Sequence, residues 1–159
     1  MARDVIVYTQ RATPIAVNEI VAAMGARGMP VEWRYTLASE RNQPVWTGGS
    51  VLPEGQPGLQ VDVSHEAVEA WMLDEVLPAY AGVMSGAHRA AFMTARDAYQ
   101  LSPAQQPPPG LDRILVMLVD SLAEIGDGVI FDIGAKRVFD LREYRARHAE
   151  LLQRKAPGA

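Results

Sequence analysis

Apolar residues along the first part of the chain predict a strand followed by a helix. Residues 5–8 form a short β-branched run that is apolar on both faces, which is typical of a central strand. Thr13 suits a helix N-cap, Pro14 suits the first helical position, and Gly25 is expected to end the helix. Its core-facing positions share one helix face: Val17, Ile20, Val21 and Met24.

Alternation of apolar and polar residues predicts further strands, each exposed on one face. It extends over residues 31–37 and again over residues 59–64. Between them, residues 38–58 are rich in Gly and Pro and leave room for one short strand, near either residues 45–46 or residues 50–52. Ser64 is then expected to cap a helix over residues 65–77, which Pro78 kinks or ends.

The next part of the chain is predicted to be mainly helical. Residues 87–101 are rich in alanine and place Phe92, Ala95 and Tyr99 at helical spacing. Residues 102–110 hold four prolines and predict a surface connector with polyproline II character. Residues 112–125 are apolar almost all round, and we expect them to form the central helix of the core.

The C-terminal residues predict a hairpin and a last, basic helix. Residues 129–133 and 137–139 are expected to pair as strands across a glycine turn. Asp140 and Glu143 have the spacing of a capping box, which predicts a helix over residues 141–155. Its apolar seam favours packing on its own protein over docking on a partner. The basic residues around that seam are Arg142, Arg145, Arg147, Arg154 and Lys155.

This order of strands and helices predicts an α+β fold. We expect an antiparallel or mixed sheet of four to six strands, with the helices packed on one face. A chain of 159 residues is long enough to bury a core without covalent cross-links. We therefore expect residues 1–159 to form a single α+β domain.

Composition narrows the function classes. The net charge of −4 makes the chain a poor candidate for nucleic-acid binding. The absence of cysteine excludes disulfides, thiolate nucleophiles and cysteine-based zinc sites. No apolar run approaches the length of a membrane span or a signal-peptide core, so we expect no membrane association and a cytoplasmic location.

Negative charge is concentrated in one part of the sequence. Between Asn42 and His88 the chain carries six carboxylates and no Lys or Arg. A block of one sign attracts basic partners over roughly 8–10 Å in physiological salt. Trp46 lies beside these acids and suits an interface hot spot, although it could equally anchor its loop to the core. The predicted partner-binding residues are Trp46, Glu54, Glu66, Glu69, Asp74 and Glu75.

Few residues suggest catalysis. His65 and Glu69 would share a helix face and could supply two metal ligands, but no third ligand accompanies them, and acids at a helix start also suit the helix dipole. Asp132 lies in the predicted hairpin, where it could take part in acid/base chemistry or simply pair with Arg137. The glycine-rich segments lack the spacing of a nucleotide-binding loop. We predict no catalytic residue, no metal and no cofactor.

One C-terminal segment resembles a known group of domains. The run LAEIGDGVIFD at residues 122–132 and the run RVFD at residues 137–140 form a helix, a glycine turn and two short strands. This pattern resembles the C-terminal part of small bacterial α+β domains of unknown function, some of which are found in toxin-immunity loci. The resemblance suggests an immunity or antitoxin role as one specific form of protein binding.

Three functional hypotheses follow, the weakest of which is a scaffold that self-associates through the C-terminal helix. The leading one is a non-enzymatic protein that presents an acidic surface to a basic protein partner, with an immunity or antitoxin role as its specific form. The alternative is a small metal-dependent or acid/base hydrolase, with its site near His65 and Glu69 or at the Asp132 hairpin.

Overall fold

The computed structural model describes residues 4–56, 58–103 and 106–153. Within these ranges the chain forms seven strands and six α-helices, joined by short loops and one 3-10 turn at Ala38–Glu40. None of the helices described combines the length and apolarity needed to cross a bilayer. In chain order the elements are β1 (Val5–Thr9), α1 (Val17–Ala26), β2 (Val31–Tyr35), β3 (Gly48–Pro53), β4 (Val61–Ala67), α2 (Ala70–Tyr80), α3 (Gly86–Met93), β5 (Asp97–Pro103), α4 (Leu111–Gly126), β6 (Gly128–Asp132), β7 (Arg137–Phe139), α5 (Leu141–Arg147) and α6 (Ala149–Gln153).

The strands form one antiparallel sheet in the order β2-β3-β4-β5-β1-β6-β7. The predicted α+β class is confirmed, but the sheet is larger than the four to six strands expected. β1 pairs with β5 on one side and with β6 on the other, as its two apolar faces predict. β2 lies at the edge and pairs with β3, which fits its alternating pattern.

The extra strand, β5, comes from a segment that was predicted to be helical. The helix expected over residues 87–101 ends at Met93, and β5 begins at Asp97. Ala98, Tyr99 and Leu101 are buried between β4 and β1, which supply hydrogen-bond partners on both sides. The alanine-rich part of the segment therefore forms α3 as expected, whereas burial in the sheet makes residues 97–101 a strand.

Two predicted helix starts are also displaced. β4 continues through His65 to Ala67, so Ser64 caps no helix, and α2 begins at Ala70 and continues past Pro78 to Tyr80. α1 begins at Val17 rather than after Thr13. There the Glu19 carboxylate accepts a hydrogen bond from the Ala16 amide at 2.8 Å, which satisfies a free amide at the helix start.

The helices cover both faces of the sheet, not one. α1 and α4 pack on what we call the inner face, and α5 and α6 pack against α4. On the opposite, outer face, side chains from α2 and α3 cover a second cluster that contains Tyr8, Phe92 and Phe131. Helices are needed on both faces because the central strands are apolar on both, as Val7 and Tyr8 on β1 illustrate.

The outer face is covered only in part. The outward residues of β4 are Asp62, Ser64 and Glu66, and all three are exposed beside α2. The inward residues Val61, Val63 and His65 are buried. This polar half of the outer face positions the candidate site.

The last helix is shorter than expected. Asp140 caps α5, and its carboxylate accepts a hydrogen bond from the Glu143 amide at 2.7 Å, as the capping-box spacing predicts. The helix is interrupted at His148 before α6, and residues 154 and 155 lie outside the described part. The predicted connector overlaps the end of β5 at Pro103, and two of its residues, 104 and 105, are not described.

Candidate functional site

Three neighbouring strands form the floor of a hollow on the outer face. Tyr8 of β1, Ala98 of β5 and Glu66 of β4 lie in one row across the sheet. The adjacent row contains Ile6, Gln100 and Ser64. Because the small Ala98 lies between two long side chains, the floor is depressed at its centre.

Helix α2 forms the wall of this hollow through Trp71, Met72, Glu75 and Val76. The enclosed volume is about 170 Å³. Trp71 is 53% exposed at the rim, and its indole N–H donates a hydrogen bond to the Glu69 carboxylate at 2.6 Å. We call this space, with its floor and wall residues, the acidic hollow.

Tyr8 supplies a hydroxyl to the acidic hollow from a side chain that is otherwise buried. Its residue is 5% exposed, and its ring contacts the edges or faces of Phe92 and Phe131 at centroid distances of 4.8 and 4.9 Å. Within the described ranges its hydroxyl takes part in no hydrogen bond, and it lines the hollow. Burial raises the pKa of Tyr8 to about 12, and the charges of Tyr80 and Glu66 act in the same direction.

The carboxylates around the hollow have no basic partner. In the part of the chain that the structure describes, Glu66, Glu75 and Asp74 take part in no ion pair. Asp62, on the same outward face of β4, accepts hydrogen bonds from Ser50 and Gln60 at 2.7 and 2.8 Å. Neutral donors leave the negative charge of Asp62 in place, so this surface remains acidic.

The basic C-terminal helix does not neutralise these acids. Arg145 of α5 pairs with Asp120 and Glu124 of α4, and Arg27 pairs with the same two carboxylates. Burial alone would raise the pKa of Asp120, but hydrogen bonds from Arg145 and Arg27 outweigh it, and the pKa is lowered. This ion network lies on the inner-face side of the molecule, as the predicted self-packing of the helix requires.

The predicted partner-binding acids fall into two groups. Glu66 and Glu75 line the acidic hollow, Glu69 contacts Trp71 at its rim, and Asp74 is exposed on α2. Glu54 is exposed in the turn after β3 and does not line the hollow.

Trp46 is an anchor for its loop and not an exposed interface residue. Its side chain is 0% exposed, and its indole N–H donates to the carbonyl of Ile15 at 2.9 Å. The ring contacts Trp33 edge-on at 4.8 Å. Of the two roles considered for this residue, the expectation of an exposed contact is corrected, because a fully buried ring presents no surface to a partner.

His65 is buried on the inner face and does not share a helix face with Glu69. Its Nδ1 lies 2.8 Å from the carbonyl oxygen of Trp46, and its Nε2 lies 2.7 Å from Asp97. Its ring stacks on Tyr99 at 4.7 Å. The proposed metal pair of His65 and Glu69 lacks its geometry, because both ring nitrogens already have partners and Glu69 follows the end of β4.

Asp132 lies beside a larger cavity on the inner face. The cavity has a volume of about 360 Å³ and includes Asp112, Tyr144 and His148. One Asp132 oxygen accepts the Ala135 amide at 3.0 Å and so fixes the β6–β7 turn. Asp132 and Arg137 lie opposite each other in the ladder, but the residues described show no ion pair between them. Burial lowers the pKa of His148, and the positive charge of Arg147 acts in the same direction.

A third group of acid and histidine residues joins α3 to α5. His88, Asp140 and Glu143 each offer a ligand atom within 4.8 Å of the others. His88 Nδ1 accepts the Ser85 amide, so Nε2 carries the proton that is donated to Glu143 at 2.6 Å. A hydrogen bond from the Asp140 amide, followed by that from His88, lowers the pKa of Glu143. These contacts cap two helices, which accounts for the cluster structurally.

Sequence reasoning missed the floor of the acidic hollow. Tyr8, Ala98 and Gln100 come from strands that are distant in sequence from the acids, and β5 was interpreted as a helix. The available signal was the alternation of Tyr99 and Leu101 with Ala98 and Gln100, which has the period of a strand.

We compared the chain with protein-family models, with curated proteins and with solved structures, and none of the three comparisons gave a match.

Proposed function

We propose that this chain is a non-enzymatic binding protein that presents an acidic face to a basic protein partner. We define the acidic face as Asp62, Glu66, Glu69, Asp74 and Glu75. The observation that supports this proposal is that β4 and α2 bring these acids together on one side of the sheet, without an ion pair among the residues described.

The physical basis is long-range attraction. Carboxylates without basic neighbours produce a negative potential that steers a basic protein into contact and makes its association rate depend on salt. An exposed aromatic ring beside them, Trp71, adds the kind of contact surface that interfaces favour.

An immunity or antitoxin role is the specific form of this proposal. It is supported by the resemblance of residues 122–140 to domains from toxin-immunity loci and by the acidic face, since such a role requires a partner protein to be bound. The gene beside this one is the first candidate for the partner. Purifying its product and measuring its binding to the chain tests this form directly.

The experiment for the general proposal compares two charge-matched variants. Glu66→Gln/Glu75→Gln removes two charges from the acidic face, whereas Asp112→Asn/Glu124→Gln removes two from α4 on the inner-face side. With a purified basic partner, raising the salt concentration should slow association of the wild type by at least about tenfold. The first variant should associate slowly already at low salt, and the second should behave as the wild type.

The proposal is overturned if the association rate is independent of salt, or if both variants bind as the wild type does. An equal decrease of the association rate in the two variants would also contradict it, because the rate would then depend on net charge and not on the acidic face.

A second candidate function, a metal-dependent or acid/base hydrolase, is favoured by the cavity beside Asp132. Two carboxylates and a histidine of lowered pKa around an enclosed volume are the elements that such a site needs. Under this candidate, divalent ions should raise the melting temperature, and Asp132→Asn should abolish that shift. An unchanged melting temperature with zinc, manganese and magnesium would count against the metal-dependent form.

A further inference from the structure

We propose that the acidic hollow binds the guanidinium group of an arginine side chain supplied by the partner protein. This inference rests on the proposed function, because it identifies the contact through which the acidic face would hold a basic protein. Three properties of the hollow support it: its size, its charge and an unused hydroxyl at its floor.

The size restricts the occupant to one side chain. Pockets for drug-sized ligands have volumes of roughly 300–1,000 Å³. The acidic hollow, at about 170 Å³, is smaller than that range. It lies open on the protein surface between α2 and β4, so a side chain that projects from a docked protein can enter it.

The charge restricts the occupant to a cation. Glu66 on the floor and Glu75 on the wall approach the space from two elements, and neither has an ion-pair partner in the described ranges. An anion would be repelled by both. Metal binding is less suitable, because the hollow has no third carboxylate or histidine among the residues that line it.

Tyr8 is an independent indication of a ligand. Its side chain is buried, its hydroxyl faces the hollow, and that hydroxyl forms no hydrogen bond within the part of the chain described. The rest of the side chain is buried but the hydroxyl oxygen is accessible from the hollow, so it is placed to contact an occupant. The hydroxyl oxygen can accept a hydrogen bond from a cationic N–H group.

Arginine fits this combination better than lysine. A guanidinium group is planar and presents five N–H donors, so it can reach two carboxylates and a hydroxyl at once, and it stacks on aromatic rings. Trp71 supplies the ring at the rim, and its indole N–H already donates a hydrogen bond to Glu69. Lysine offers a point charge without the stacking surface.

The test uses Nα-acetyl-arginine N-methylamide as the probe, with the citrulline analogue as a neutral control of nearly the same shape. The protein contains three tryptophans, so three indole N–H signals can be followed by NMR. We expect the arginine probe to shift the Trp71 indole signal in a saturable manner. The indole signals of Trp33 and Trp46, which belong to the inner-face core, should not move.

Charge-matched and hydroxyl variants locate the binding. Glu66→Gln/Glu75→Gln should lower the affinity for the arginine probe by at least about tenfold. Tyr8→Phe should lower it by a smaller factor, because charge-assisted contacts contribute more than neutral ones. Asp112→Asn/Glu124→Gln should bind as the wild type does. The lysine analogue should bind more weakly than the arginine probe.

The inference is overturned if the citrulline analogue binds as well as the arginine probe, or if Glu66→Gln/Glu75→Gln leaves the affinity unchanged. Its failure is distinguishable from failure of the proposed function. If the partner binds in a salt-dependent way but the arginine probe does not bind, the acidic face remains and the arginine site is rejected. If the probe binds but partner association is independent of salt, the proposed steering is rejected and the hollow remains.

Discussion

The Nε2 atom of His65 lies 2.7 Å from a carboxylate oxygen of Asp97, and both side chains are buried on the inner face of the sheet. The other ring nitrogen lies 2.8 Å from the carbonyl oxygen of Trp46, which can only accept a hydrogen bond. That nitrogen therefore donates the hydrogen bond to Trp46. The pair joins β4, β5 and the loop that holds Trp46.

Replacing Asp97 with alanine should destabilise the fold by about 3–5 kcal/mol, because it leaves one nitrogen of a buried histidine without a partner. Asp74→Ala is the matched control, since Asp74 is exposed on α2 and should change stability by less than about 0.5 kcal/mol. Urea unfolding followed by circular dichroism measures both values. Equal stabilities of the two variants would show that the His65–Asp97 contact contributes nothing.

The buried tryptophan and the exposed one should respond differently to the same substitution. Trp46→Phe leaves the Ile15 carbonyl without its indole donor and opens space beside Trp33, so it should cost about 1–3 kcal/mol or more. Trp71→Phe removes a hydrogen bond at an exposed position and should cost less than about 1 kcal/mol. A larger loss from Trp71→Phe in urea unfolding would contradict the anchoring role of Trp46.

Local signals explain which parts of the fold could be predicted from the sequence. The two apolar faces of β1, the apolar surface of α4 and the capping box of Asp140 and Glu143 each lie within a short segment, and the structure confirms all three. Each of these elements is specified by neighbours in sequence, so its pattern needs no tertiary information.

The errors arise where contacts that are distant in sequence decide the structure. His65 follows a serine and precedes a glutamate, which suits a helix start, yet its bonds to Asp97 and Trp46 hold it in a strand. The alanines before β5 do form helix α3, but the helix does not continue to Tyr99, because residues 97–103 pair with β1 and β4. The acids of the candidate site were visible in the sequence, whereas the floor that Tyr8 and Ala98 form was not.

The ion network around Asp120 should make the fold sensitive to acid. The pKa of Asp120 is lowered by Arg145 and Arg27 against the opposing effect of burial. A lowered carboxyl pKa contributes stability that is present above the unfolded value of about 4 and is lost as the pH falls through the folded value.

Asp120→Asn should therefore destabilise the protein by about 3–5 kcal/mol at neutral pH, because it leaves two guanidinium groups without their buried carboxylate. The difference in the free energy of unfolding between this variant and the wild type should become smaller as the pH falls below about 4. Urea unfolding across this pH range measures the difference, with Glu66→Gln, an exposed carboxylate outside the network, as the control. A difference that stays constant down to strongly acidic pH would exclude ionisation of Asp120 as its source.

Tyr8 and Tyr99 provide a matched pair for testing how much a hydrogen bond of a tyrosine hydroxyl contributes to stability. The Tyr99 hydroxyl accepts the Ile15 amide at 2.7 Å, whereas the Tyr8 hydroxyl has no partner within the described ranges. At neutral pH, Tyr99→Phe should cost about 1–3 kcal/mol, since it leaves a buried amide unsatisfied. Tyr8→Phe should change the stability by less than about 0.5 kcal/mol.

The stabilities of the wild type and of Tyr8→Phe should then differ at alkaline pH. Burial raises the pKa of Tyr8 to about 12, so its contribution to stability is fully present below the unfolded value of about 10 and is lost as the pH rises through about 12. Between these values the wild type should lose stability more steeply than Tyr8→Phe, by as much as about 1.4 kcal/mol per pH unit. Tyr99 and Tyr144 also have raised pKa values, but they are present in both proteins and cancel in the comparison. Parallel stability curves for the wild type and Tyr8→Phe in alkali would show that Tyr8 ionises as readily in the folded protein as in the unfolded one, and would contradict the burial of its side chain.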